Sequence, residues 1–356
     1  MLPGIFQYMM KLINALFNFL RNLPSLVKNA VFPEIRALGE KIYFLEKENL
    51  ELMRVLDSID KNYLLEIDKK HLIAHYQYFT GKNLDLENVR TFNEKLQWLK
   101  LYRRDPVMTV MSDKYRVRDF LRERGYGQYL NDLYGVYNCT DELIKDLPKL
   151  PEKFVVKANH GSGGVLRVKN KNRINMKKLR ALDKRLRSNY YCRVRGGKKN
   201  GEFLFSRNCE WNYRDIEPCL IVERYLEDGK GGLFDYKIFC FNGVPSIIQV
   251  DIDRYGNHTK CFYDTEWNRL SFTIKDPLYK GDIPRPSSLH EMMKFAENIS
   301  KGFPYLRVDL YNIDDKKIIF GELTFYHLSG FGRFMPEEWD LKLGEMIDLN
   351  YGGLFE

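Results

Sequence analysis

Between residues 5 and 22 polar side chains recur at helical spacing. Gln7, Lys11, Asn14, Asn18 and Arg21 make a narrow stripe, and Ile5, Phe6, Met9, Leu12, Ile13, Leu16, Phe17, Phe19 and Leu20 cover the rest. The pattern predicts an amphipathic helix. An apolar face this wide, with basic flanks, suits the membrane interface; the alternative is a helix packed on the rest of the protein. Lys11, Asn14, Asn18 and Arg21 interrupt the run of about 20 apolar residues that a spanning helix needs, and no basic leader with a small-residue cleavage site is present. After Pro33 the period changes. Ile35, Leu38, Ile42, Leu45, Asn49, Leu52, Leu56 and Ile59 are separated by alternating steps of three and four, the spacing of a two-stranded coiled-coil seam. A helix packed on a globular body drifts toward a 3.6 period instead. With Ile35 at position a, Asn49 also falls at a, where a buried amide favours a parallel, in-register homodimer.

From Asp60 to about Leu150 the pattern is helical and aromatic-rich, and Pro148 and Pro151 close it. Short apolar runs follow at 154–156, 220–222, 236–239, 247–250 and 318–320, mostly bounded by Gly, Pro, Asn or Asp, as strands are. Helical stretches intervene near 176–190 and 288–301. This divides the chain into an amphipathic helix (1–33), a coiled coil (34–60), a helical subdomain (61–150), a first α+β lobe (151–225) and a second (226–356).

Charge and cysteine content change this picture little. The formal charge is +9 and the pI about 9.0, which favours an anionic partner such as nucleotide phosphates, an acidic glycan or a membrane surface. Six cysteines lack any CxxC or metal-ligand spacing, so reduced thiols in a cytosolic protein are expected. The basic segment 173–199 is either a docking surface for an acidic polymer or a solvated helix face. It is sparse in base-stacking aromatics, and no nucleic-acid module is legible.

Three constellations carry candidate chemistry. The strand Phe154-Val155-Val156 delivers Lys157 and then Gly161-Ser162-Gly163-Gly164. Glycines let backbone N–H groups approach phosphate oxygens, and a lysine adds a point charge. The spacing is neither the GxxxxGK[ST] loop nor the dinucleotide fingerprint. Second, the strand Ile221-Val222-Glu223 runs on to Leu226, with Asp235 and Lys237 shortly beyond: a place for a purine edge, ribose hydroxyls and phosphates, or a surface strand pair. Third, Arg307-Val308-Asp309 and Gly321-Glu322 flank a turn at Asp314-Asp315. Across an antiparallel hairpin Asp309 and Glu322 sit side by side. Like charges there repel unless a cation joins them, and magnesium bridging them to ATP phosphates is the simplest cation. The alternative is an exposed hairpin with surface acids.

The order of these sets, with Phe92-Asn93-Glu94-Lys95-Leu96, Ser112-Asp113-Lys114-Tyr115 and Gly321-Glu322-Leu323-Thr324-Phe325-Tyr326, resembles the ATP-grasp family, and within it the teichuronopeptide-biosynthesis (TupA-like) branch, over about residues 75 to 340. The resemblance implies a two-lobed α+β fold gripping ATP and Mg2+. It implies phosphate contacts from Lys114, Lys157 and Lys237, and a mobile loop at Gly161, Ser162, Gly163 and Gly164. Glu223 and Leu226 would read adenine, chiefly through backbone, and Asp235 would hold ribose. Asp309 and Glu322 would bind metal, with Arg307 and Lys157 as catalytic cations. The broader family has Asn two residues after the second acid; here that position is Thr324, a poorer metal ligand. The implied activity is ATP-dependent carboxylate–amine ligation through an acyl phosphate. The implied acceptor is an acidic glycan or its precursor, joined to an amino acid or amine. Tyr326, His327, Ser329, Gly330 and Phe331 follow the acids closely enough to shape an acceptor pocket. A metal-dependent glycosyltransferase and a scaffold with a degenerate site are the rival expectations.

Overall fold

The computed structural model describes residues 63–352, apart from 187–190, 192–193, 200–201, 208, 228–232 and 253–256. The amphipathic helix expected at 5–22 and the seam expected at 35–59 lie outside the described residues. No helix among the described residues is long and apolar enough to cross a membrane.

Four helices come first: α1 (Tyr63–Thr80), α2 (Phe92–Tyr102), α3 (Pro106–Ser112) and α4 (Val117–Glu123). Local signals set their starts. Thr91 and Glu94 form a reciprocal capping box on α2, worth about 1 kcal/mol. Asp105 caps α3, with Pro106 in the first turn where its missing N–H costs nothing.

A first sheet then assembles from β1 (Leu133–Tyr137), β2 (Phe154–Ala158), β3 (Val165–Val168) and β6 (Leu220–Arg224), in the order β1-β6-β2-β3. Its apolar face is covered by α5 (Thr140–Asp146) and α6 (Met176–Leu186), which bury Leu143, Leu179 and Leu182 against Phe154, Val156, Leu220 and Val222. The boundary expected at 150 therefore cuts through this lobe. β1 and α5 belong with it because β1 pairs with β6 and Tyr137 and Leu143 join its core. A hairpin, β4 (Val194–Lys199) and β5 (Glu202–Arg207), follows α6.

The second lobe is an antiparallel sheet of β7 (Asp235–Phe241), β8 (Val244–Ile252), β9 (Thr259–Tyr263), β11 (Tyr305–Ile313) and β12 (Lys317–Thr324), in the order β12-β11-β7-β8-β9. A short β10 (Thr273–Ile274) pairs with β13 (Phe334–Met335) beside it. Strand alternation sorts the side chains. Leu306, Val308, Leu310, Ile238, Cys240, Ile248 and Val250 share a core with α7 (Leu289–Ser300), which presents Met292, Phe295, Ala296 and Ile299. The opposite face carries Arg307, Asp309, Lys237, Gln249 and Asp251. One bulge fixes the parity of β12. Phe320 pairs with Leu310 and Glu322 with Asp309, leaving Gly321 as the extra residue. A Cβ at Gly321 would stand 3.0 Å from the Asp309 carbonyl oxygen, so glycine permits the close approach that turns Glu322 onto the polar face.

That polar face is half covered. Around Phe239 and Phe241 it is closed by α2 and the chain after β12, where Phe92 meets Tyr305 and Phe334 edge-on. The Phe92-Asn93-Glu94-Lys95-Leu96 stretch now has a mechanical meaning. Asn93, Gln97 and Lys100 recur on one side of α2 and hold the segment 329–332. The Asn93 amide donates to the Gly332 carbonyl and accepts from the Gly332 N–H. Gln97 donates to the Ser329 and Gly330 carbonyls. Lys100, fully buried, donates to the Ser329 carbonyl and hydroxyl. The held backbone is unusual: Leu328, Ser329 and Gly330 have φ of 47°, 58° and 67°. Left-handed non-glycine residues persist where the surroundings over-determine them, and α2 supplies that constraint. A last helix, α8 (Glu338–Glu345), sends Asp340 to the Asn93 backbone and amide.

Candidate active site

The expected acid pair lies on the open half of the polar face. Asp309 and Glu322 are direct cross-strand partners, and the same row continues through Lys237 to Gln249. The next row runs Tyr311, Asp235, Asp251, Lys260. The two carboxylates therefore point the same way, and the exposed-hairpin alternative falls: Asp309 is 2% exposed.

Protein cations already surround the pair, which the sequence argument assigned to a metal alone. The Arg307 Nε and Nη2 donate to the two Asp309 oxygens, both at 2.7 Å. Lys237 donates to Asp309 Oδ2 at 2.8 Å and to Asp235 at 2.5 Å, with Asp251 at 3.8 Å. Burial works against the charged form of Asp309, but Arg307 and Lys237 outweigh it and hold its carboxyl below the ordinary carboxylate range. Burial likewise opposes the Lys237 ammonium, and Asp235 and Asp309 overcome it, so its pKa rises.

Glu322 differs. No hydrogen bond reaches its carboxylate from the described residues. Lys114 and Arg307 stand off at 3.7 and 3.6 Å, and its side chain is 34% exposed. Burial raises its carboxyl, and Lys114, with Arg307 and Lys237 behind it, more than compensates, so it stays ionised. This donor set fits a small hard cation. The Glu322 carboxylate takes no hydrogen bond from the described residues and is 34% exposed, and Asp309 Oδ1 accepts a single bond from Arg307. Magnesium is usually held by one or two carboxylates, with phosphate oxygens and water completing its shell. Thr324, at the position where a third ligand was in question, accepts a hydrogen bond from Arg307 Nη2 on its hydroxyl oxygen at 3.0 Å. Among the described residues no group of three or more His, Cys, Asp or Glu could hold a metal, so a cation held by this pair would take its remaining ligands from phosphate or water.

Two lysines lie on the first-lobe side, and Lys114 reaches this floor at Glu322. Lys114, just after α3, donates to the Gly161 carbonyl at 2.9 Å and so ties the glycine loop to the Glu322 side. Burial lowers its pKa. Lys157, on β2, donates to Glu223 at 2.7 Å, and Glu223 also takes Arg118 of α4 at 3.0 Å. The Glu223 side chain is thus a buried bridge, while its backbone lies in a strand paired on both sides. Leu226 follows the strand, half-buried and outside any ladder. Asp235, expected at ribose, is 3% exposed and paired to Lys237. Gly161, Ser162, Gly163 and Gly164 join β2 to β3, and the three glycines have φ between 69° and 79°. Arg185 of α6 donates to the Ser162 carbonyl, and a Cβ on Gly163 would lie 2.6 Å from its Nη2.

Sequence reasoning missed Arg118, Arg185, Gln249 and Asp251. The last two left a signal, since polar residues alternate with Ile248 and Val250. The Gln249 amide donates to Asp251 at 2.6 Å. His258 stands 3.6 Å from both Asp251 and Asp276.

A family model described as TupA-like ATPgrasp matches residues 94–348. No curated protein matches by sequence. Among solved structures, the chain is similar to D-alanine–D-alanine ligase of Bacillus anthracis, at 18% identity over 72% of this chain and 69% of that one, with a TM-score of 0.37. It is similar to N5-carboxyaminoimidazole synthase of Aspergillus clavatus, in complex with ADP and 5-aminoimidazole ribonucleotide, at 11% identity over 65% and 47%, TM-score 0.34. It is also similar to D-cycloserine synthetase DcsG, at 15% identity over 68% and 70%, TM-score 0.34. The chain thus spans as little as 47% of the length of a solved relative.

Proposed function

This chain belongs to the TupA-like ATP-grasp family, and we propose from that premise that it joins a carboxylate to an amine at the expense of ATP, through an acyl phosphate. ATP-grasp enzymes use ATP and Mg2+, which favours this reading over the glycosyltransferase expectation. The observation that carries it is the open Glu322 carboxylate beside Asp309, whose Oδ1 accepts a single bond, with Arg307, Lys237 and Lys114 around them.

Bound magnesium would neutralise phosphate charge at Glu322 and Asp309. The chain does the rest. Lys114 and Lys157 offer point charges from the first lobe to the phosphates, and the glycine loop offers backbone N–H groups. Lys237 lies beneath, neutralising Asp235 and Asp309. Arg307 faces the transferred group. The substrate carboxylate attacks the γ-phosphorus, the bond to the β-bridging oxygen breaks, and its electron pair leaves with ADP. The amine then attacks the acyl carbon, phosphate departs with its electron pair, and the nitrogen loses a proton.

For substrates, the TupA-like relationship and the net positive charge support a uronic acid of a surface polysaccharide or its precursor as the acidic glycan, with an amino acid or amine as co-substrate. The reverse polarity, an amino-acid carboxylate on an amino sugar, uses the same site. The wide apolar face of residues 5–22 supports a cytoplasmic enzyme held peripherally at the inner membrane face, and the heptads at 35–59 support a homodimer. Incubation with Mg-ATP, a uronic acid and hydroxylamine is expected to give a hydroxamate together with ADP and phosphate. AMP and pyrophosphate as products, or no hydroxamate with any carboxylate in a broad panel, would remove the ligase reading.

A further inference from the structure

We propose that His327 is a positioning residue that aims the Arg307 guanidinium at the transferred phosphoryl group. The proposal rests on the ligase reading of the site and goes beyond it, because that reading gives His327 no part in orienting Arg307, only a place in the stretch expected to shape an acceptor pocket.

A guanidinium has five N–H donors and no acceptor. At Arg307, Nε donates to Asp309 Oδ1, and Nη2 donates to Asp309 Oδ2 at 2.7 Å and to Thr324 Oγ1 at 3.0 Å. Nη1 donates to His327 Nδ1 at 2.6 Å. Four donors are committed and one Nη1 hydrogen remains. Asp309 fixes the plane of the rigid guanidinium from one edge, Thr324 holds Nη2, and His327 is the partner of Nη1 among the described residues. The imidazole therefore locks the fork from the side opposite Asp309, and with it the direction of the last hydrogen.

The bond dictates the state of the ring. Arg307 can only donate, so Nδ1 must present a lone pair and the ring hydrogen must sit on Nε2. Burial, then Arg307, Lys260 and Lys237, push the imidazole well below its ordinary pKa, which keeps it neutral. The Nε2–H then finds no acceptor among the described residues, although His327 is 2% exposed. Phe239 packs against one side of the ring, with centroids 5.0 Å apart. A phenylalanine or leucine would fill this apolar setting without a stranded donor. The histidine is costly there for packing, and its single polar bond goes to Arg307.

The test is a double-mutant cycle read by nucleotide binding, so it needs no acceptor. The ratio of affinities for a magnesium-loaded, non-hydrolysable ATP analogue and for Mg-ADP, measured by calorimetry, reports the γ-phosphate contact. His327→Leu is expected to lower that ratio about tenfold, the scale of one charged hydrogen bond. His327→Asn, whose side-chain oxygen stands near the lost Nδ1, should restore most of it. Arg307→Lys should lower it as well, and the His327→Leu/Arg307→Lys pair should fall no further than Arg307→Lys alone. Equal weakening of both nucleotides by His327→Leu, or multiplicative losses in the pair, would make His327 merely structural and overturn the proposal. So would a wild-type protein that binds both nucleotides equally well. A wild-type protein that binds neither would overturn the ligase reading and this proposal with it.

Discussion

Glu322→Gln is expected to cut ligation about a thousandfold while adenine-nucleotide affinity changes far less. Removing a single preorganised charge partner at a reacting phosphoryl or acyl group costs about 100- to 1,000-fold, and here the lost charge is also the open half of the proposed metal site. Glutamine keeps the shape. It retains one oxygen, but it presents an amide N–H₂ to Lys114 and Arg307, which stand at 3.7 and 3.6 Å and are themselves only donors. The cleft then carries an uncancelled positive charge near the phosphates. ATP binding is partly protected by that excess, whereas metal-dependent transfer is not. Hydroxamate formation against magnesium concentration is the measurement: the variant should need much more magnesium and still reach a far lower plateau. Unchanged magnesium dependence would take Glu322 out of the metal site.

The parts of this site that could be read in the sequence are those whose chemistry is local. Asp309 and Glu322 declare themselves as carboxylates in two adjacent strands, and Lys157 as a lysine ahead of a glycine loop. What the sequence hides is which groups answer them across the fold. Glu223 is met by Arg118, 105 positions away, and nothing in either segment announces the other. Positive charge beside Asp309, expected from a metal, is supplied by Arg307 and Lys237: alternation along β11 puts Arg307 on the Asp309 face, and pairing with β7 puts Lys237 in the Asp309 row. The same alternation in β8 reads equally well as a half-exposed strand. In the fold Gln249 and Asp251 are buried, at 1% and 3% exposure, and no local signal in β8 announces it. The strands β7, β8 and β12 were legible as apolar runs and β11 as the partner of β12 across a turn, and β9 was not. The boundary at 150 was not, since β1 joins its sheet by a long-range pairing with β6.

Lys237→Met should be the most destabilising single change in the floor of the cleft. The lysine side chain is 4% exposed and sits among Asp235, Asp309 and Asp251 at 2.5, 2.8 and 3.8 Å. Methionine fills a similar volume, so the loss is electrostatic rather than a cavity. Breaking a buried ion pair by removing one partner costs about 3–5 kcal/mol, and here one cation serves several acids. The pH dependence gives the mechanism a signature. Asp309 has a folded-state pKa below its unfolded value, so its contribution is present above the unfolded carboxylate range and fades as pH falls through the lower, folded pKa. Without Lys237 the burial that opposes ionisation is answered by Arg307 alone. The folded pKa rises toward or past the unfolded one, and the contribution shrinks or reverses at neutral pH. The variant's stability deficit, measured by urea unfolding, should therefore be largest near pH 7 and narrow as pH drops and the acids protonate in both states. Adding Asp235→Leu should recover part of the deficit, because it removes one of the carboxylates left without its cation. A deficit independent of pH, or a double variant no more stable than Lys237→Met, would mean that Lys237 supports the fold through packing rather than charge.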